Sequence, residues 1–211
     1  MNYREQRNYE NIQKAVYSGA GVYNIPIIRP TEYEECEWIS FNEAIKSNKR
    51  EEKGVHFFLD DYRFIRLWAN IDKYMPMLRQ FKCVMTPDFS LYTDFPVALQ
   101  IYNHYRKHWI GAYLQDCGIN VIPTICWSTP ESFAWCFDGD PVGGCVAVSS
   151  IGTQNSKEKK ALFRAGYDEM MKRLCPDKII FYGSVPDDCK GDIIRIKPFS
   201  DKFNVAEVAA W

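Results

Sequence analysis

The chain has 211 residues, 46% hydrophobic and 15% aromatic, a composition that excludes a disordered protein and predicts a packed globule. Its 26 basic and 27 acidic side chains leave a formal charge of −1, so no global field draws it to nucleic acid or an anionic membrane. A chain this long buries roughly 70% of its unfolded surface and is expected to form a single domain without a staple.

The eight cysteines include no C-x-x-C pair, which disfavours zinc ribbons and knuckles. Cys83, Cys126 and Cys145 sit in apolar runs, where a reduced cysteine acts as a small hydrophobe. The polar start MNYREQRNYE has no signal-peptide pattern, so reduced thiols and a cytoplasmic location are expected. No run approaches the ~20 apolar residues of a membrane span.

In chain order, Ile12, Ala15 and Val16 suggest a short helix. Ile25 to Ile28 reads as a strand in an edge or entry position, because Pro26 lies inside it. Residues 31–53, rich in charge and ending KSNKREEK, read as a solvated loop or helix end. VHFFL at 55–59 predicts a buried strand stopped by Asp60 and Asp61. Phe64, Ile65, Leu67 and Trp68 recur at helical spacing, and a second short helix is expected over 74–81. Cys83 to Met85 is the next strand, ending in the turn TPDFS. A long helix follows, with Asp94 as its expected cap, Pro96 in its first turn and Gly118 as its stop.

VIPTIC at 121–126 predicts a strand that delivers Trp127 and Ser128, followed by a short helix from Thr129-Pro130-Glu131 to Phe137. CVAVS at 145–149, an amphipathic helix over 157–174 and IIFY at 179–182 continue the alternation. Ile193 to Ile196 is a last strand, and residues 198–211 are a tail or final helix. Short apolar strands alternating with helices predict an α/β fold with a mainly parallel sheet. An incomplete TIM-type barrel is favoured over an open doubly wound sheet, because polar residues follow nearly every strand. Neither G-x-G-x-x-G nor a P-loop is present.

The segments GVYNIPIIRP, GVHFFLDDYRF, the run from TPDFS through TICW, GCVAVSSIG and the late FYG occur in one order. Over about residues 20 to 185 the chain thereby resembles the family called domain of unknown function 4417. That resemblance implies a phage- or mobile-element-type accessory protein, and the family name carries no activity.

Ligands of parallel α/β folds bind beyond the carboxyl ends of the strands. The candidate acidic centre there is Asp60, Asp61 and Asp88, a set able to do acid–base work or to hold a divalent cation. Arg29, Ser90, Tyr92, Ser128 and Ser150 are the candidate polar ligand contacts, and Trp127 and Tyr182 the stacking surfaces. Together they suit a nucleotide or another phosphorylated small molecule, with hydrolysis as the reaction. Each has a bland alternative: the aspartates as helix caps or turn residues, and Trp127 as core.

His104 and His108 share a helix face but lack the glutamate of H-E-x-x-H, so no metal site is assigned. Arg106, Lys107 and His108, interleaved with Tyr105 and Trp109, supply the alternative of a basic, aromatic surface for single-stranded nucleic acid. A second alternative is a non-enzymatic protein that binds and inhibits a host protein.

Overall fold

A computed structural model describes residues 9–198. The expected tail or helix over 198–211 lies almost wholly outside them.

Seven parallel strands carry the fold. β3 (Glu37–Ser40), β4 (Lys53–His56), β5 (Cys83–Met85) and β6 (Val121–Ile122) form one sheet in that order; β7 (Cys145–Ser149), β8 (Lys178–Tyr182) and β9 (Ile193–Ile196) form another. A single parallel bridge, Thr124 to Ala147, joins them. Its backbone bonds run from Ile125 N to Ala147 O at 2.7 Å and from Ala147 N to Pro123 O at 2.8 Å. Strand order therefore follows chain order throughout, without the reversal of a doubly wound sheet. Among the described residues no pairing closes β9 onto β3, so the arrangement is open.

The sheets curve until their inner faces meet. Phe58, just beyond β4, stacks on Tyr182 of β8 with ring centroids 4.7 Å apart, and His56 lies 5.1 Å from the same ring. Side-chain alternation explains how one strand serves two cores. On β7 and β8, Cys145, Ala147, Ile180 and Tyr182 face inward, on the side of Met85 and Ile122. Their neighbours Val146, Val148, Ile179 and Phe181 pack outward.

The helices cover that outer side. α1 (Phe41–Ala44) starts from Ser40 with a reciprocal capping box to Glu43. α2 (Asp61–Ala69) and α3 (Ile71–Leu78) bury Phe64, Leu67, Trp68, Ile71, Met75 and Leu78. α4 (Val97–Asp116) begins with Pro96, not Asp94, at its N-cap, and Gly118 at φ +78° follows its end. Trp109 on α4 is fully buried, stacks on Tyr113 and donates its Nε1 hydrogen to Ala15 O at 3.0 Å. α5 (Lys157–Leu174), capped by Ser156, presses Phe163, Tyr167, Met170 and Leu174 against β7 and β8.

Two expectations fail locally. Ile25–Ile28 does not join the parallel sheets: β2 (Ile25–Pro26) pairs antiparallel with β1 (Gly19–Ala20) in a separate hairpin. The charged stretch 31–53 holds strand β3, helix α1 and a 3-10 turn over Arg50–Glu52. Among the described residues no helix is long and apolar enough to cross a membrane. All eight cysteines are free thiols.

Candidate functional site

The carboxyl ends of the parallel strands open on a cleft of about 990 Å³. Ser40, His56, Phe58, Asp88, Ser90, Cys126, Trp127, Ser149 and Tyr182 line it from successive strand ends, while Asp60, Arg63, Tyr92, Ile151, Arg195 and Lys197 contribute farther out.

Asp88 reaches the cleft because its turn is held from three sides. Thr124 donates its amide hydrogen to Thr86 Oγ1 and its hydroxyl hydrogen to Thr86 O, each at 2.8 Å, tying the chain after β5 to the chain after β6. Asp61 accepts from Ser90 N at 3.2 Å and from Ser90 Oγ at 2.9 Å. Asn103 of α4 donates its Nδ2 hydrogen to Ser90 O at 2.7 Å. Asp61 is therefore a clamp on the turn, not a lining residue. Asp61→Ala is expected to cost about 1–3 kcal/mol by leaving the Ser90 donors unsatisfied, and faster amide hydrogen exchange at Ser90 would register it.

Burial pushes the Asp88 carboxyl up to about 7, and the Asp61 charge adds to the rise; the Lys107 charge and a hydrogen bond from the Cys126 thiol oppose it. A carboxyl so placed gains and loses its proton near neutrality.

Behind Asp88 lies a charged core. Lys107 on α4 is completely enclosed and donates from Nζ to Thr124 O at 2.8 Å and to Cys126 Sγ at 3.7 Å. Burial opposes its charge, yet Cys126, Asp140, Asp88 and Cys136 outweigh that and raise its pKa. Burial pushes the Cys126 thiol up to about 12, so it stays protonated at neutrality. Next to Lys107, His108 Nε2 lies 3.3 Å from Asp140 Oδ1, with both side chains fully enclosed. Its Nδ1 lies 2.9 Å from the Pro26 carbonyl, which can only accept, so Nδ1 carries a hydrogen. The His104 ring lies tilted against His108, centroids 4.3 Å apart, and its burial, with the charges of His108 and Lys107, holds its pKa well below the ordinary imidazole value.

Trp127 is half-buried and packs 5.3 Å from the Phe163 ring. Its indole can lie against α5 only because position 166 is glycine: a Cβ there would stand 2.1 Å from Trp127 Nε1. Gly166→Ala is expected to displace the indole and cost about 1–3 kcal/mol, checked by chemical unfolding and by the shift of the Trp127 indole resonance.

The remaining candidates separate. Ser90, Tyr92 and Tyr182 line the cleft, as does Asp60, an exposed residue 3.4 Å from Arg63 Nε. Asp60 occupies the N-cap position of α2 without a capping hydrogen bond from its side chain. Arg29 is elsewhere: its amide bonds Gln115 and its guanidinium Asp116, at the far end of α4. Ser128 is buried, with its amide bonded to Ser132 Oγ, and Ser150 is buried with its hydroxyl on Ser184 O at 2.7 Å. Neither lines the cleft. The basic surface proposed for nucleic acid does not form, because Lys107 and His108 are interior and the Arg106 guanidinium covers the rings of Phe89 and Tyr102.

Residues 17–200 match the family described as Domain of unknown function (DUF4417). The chain belongs to this family. It is 40% identical over 174 residues to the Gene 1 protein of Mycobacterium phage L5, an alignment covering 82% of this chain and 76% of that protein. It is 41% identical over 172 residues to the Gene 1 protein of Mycobacterium phage D29, covering 81% of this chain and 64% of that one. No solved structure matches.

In this DUF4417 chain the cleft also contains residues that sequence reasoning did not select. His56 ends a strand directly before the apolar pair Phe57 and Phe58 and reads as part of a buried run. Arg195, at an exposed position inside β9, reads as an ordinary edge-strand charge. Among the described residues no group of three or more His, Cys, Asp or Glu could hold a metal ion.

Proposed function

We propose that the strand-end cleft binds a phosphorylated small molecule with a planar ring, a nucleotide being the fitting class, and that Asp88 is the acid–base group for its hydrolysis. The observation that carries this reading is Asp88 itself: a partly enclosed carboxyl in the cleft whose proton is exchangeable near pH 7. Arg63, Arg195 and Lys197 supply positive charge toward a phosphate, and Trp127, Phe58 and Tyr182 supply aromatic surface for the ring. The relatives come from phages, so the corresponding setting is the cytoplasm of an infected bacterium, consistent with eight free thiols.

Isothermal titration with a panel of nucleoside mono-, di- and triphosphates, with and without a divalent cation, tests it. Saturable binding is expected for the intact protein, with loss of any hydrolysis in Asp88→Asn. No binding by any panel member at millimolar concentration overturns the reading and leaves a host-protein partner as the alternative to pursue.

A further inference from the structure

Resting on that reading of the cleft, we infer that its phosphate subsite is the rim where β7, β8 and β9 end, and that Arg195 is the residue that holds the phosphate there. The charges lining the cleft are sorted by side. Its four carboxylates, Glu37, Glu43, Asp60 and Asp88, all come from the stretch between β3 and the turn after β5. From β7 onward no acidic side chain among the described residues lines it, while Arg195 and Lys197 do. The remaining arginine, Arg63, lies on the acidic side, 3.4 Å from Asp60 and over the Tyr62 ring. A phosphate is an anion, so the carboxylates repel it from their side and the β9 side attracts it.

Arg195 is also built into that rim. Its backbone pairs with Phe181, whose side chain packs outward, so alternation alone would turn the arginine away from the cleft. Instead its side chain reaches the carboxyl end of β8, where Nε donates to Gly183 O at 2.7 Å. Nε is one of the guanidinium donors, and this bond sets the plane of a fork whose geometry matches two phosphate oxygens. The anchor is itself rigid. Gly183 N donates to Ile196 O at 3.2 Å, Ser150 N to Tyr182 O at 3.1 Å and Ser150 Oγ to Ser184 O at 2.7 Å. At Gly183, where φ is +108°, a Cβ would stand 2.7 Å from Ser150 Oγ, so glycine is what lets the chains after β7 and β8 close on each other. A phosphate arriving here meets a guanidinium already held in place, which lowers the ordering cost of binding.

Inorganic phosphate and pyrophosphate, titrated into the nitrogen-labelled protein and followed by NMR, test this. Saturable shifts are expected at Arg195 Nε and at the amides of Gly183 and Ser184, with the same affinity in Arg63→Gln. Arg195→Gln, at an exposed position, should weaken binding of both anions about tenfold or more, and Arg195→Lys, which keeps the charge without the fork, should weaken it less. An Arg195 Nε that stays in place while the wild-type protein saturates overturns the inference without any variant. So does the absence of saturable shifts with either anion, an unchanged affinity in Arg195→Gln, or an equal loss in Arg63→Gln. Anion binding at this rim in a protein that takes no nucleotide would sink the nucleotide reading and keep the subsite. Nucleotide binding that Arg195→Gln leaves unchanged would do the reverse.

Discussion

Asp88→Asn is expected to make the protein more stable at pH 8 while removing whatever chemistry the cleft performs. The Asp88 carboxyl ordinarily ionises at 3.8 and in the folded protein does so at about 7. Between those values the unfolded chain gives up the proton and the folded chain keeps it. Stability contributed by the protonated form is thus complete below about pH 4, falls as pH rises toward 7, and is lost above it. At roughly 1.36 kcal/mol per unit, ionised Asp88 costs the fold at most about 4 kcal/mol. The figure is an upper bound because Asp88 keeps some contact with solvent. Asparagine has the same shape and no proton to lose. Urea unfolding at pH 4, 6 and 8 should give converging stabilities at pH 4 and a gap that opens toward pH 8, with the variant above. Parallel curves would place Asp88 in an ordinary solvated environment and remove the support for its acid–base role.

Asp140→Ala should act in the opposite direction and about as strongly. His108 and Asp140 are fully enclosed and 3.3 Å apart, with the other imidazole nitrogen already committed to Pro26 O. Removing one member of such a pair typically costs about 3–5 kcal/mol, because the survivor is left desolvated without its partner. If that is the origin of the loss, His108→Leu combined with Asp140→Ala should cost less than the sum of the two single changes, by about 0.5–3 kcal/mol. Strict additivity in a double-mutant cycle would mean that the residues are held by packing alone.

Where apolar alternation was strong, the sequence carried the architecture. CVAVS and the helix over 157–174 fold at the expected bounds, and IIFY becomes Lys178–Tyr182. β3 was not legible, because its apolar pair Trp38 and Ile39 is set among charges and takes its place only by pairing with β4. Asp88, Ser90, Tyr92 and Trp127, which come after parallel strands, and Tyr182, which ends one, all lie on the cleft. The strand-end rule misplaced Arg29, because β2 belongs to an antiparallel hairpin and ends elsewhere. Ser128 and Ser150 were misread because small polar residues after strands are readily absorbed by turns. Lys107 and His108 looked like a wet helix face. Nothing local distinguishes an exposed lysine from one enclosed behind a carboxylate; that depends on Thr124, Cys126 and Asp140, which lie 17 to 33 positions away in the chain.

The unbroken match between strand order and chain order has a consequence for how the molecule is made. From β3 to β9 each paired strand finds a neighbour that was synthesised just before it, and the two sheets are joined by the bridge between Thr124 and Ala147. No strand has to wait for one still to be translated. The inner core can therefore grow by accretion as the chain leaves the ribosome, keeping the sequence separation of pairing strands small and the time during which an apolar edge lies open short. Assembly that keeps pace with translation limits losses to aggregation.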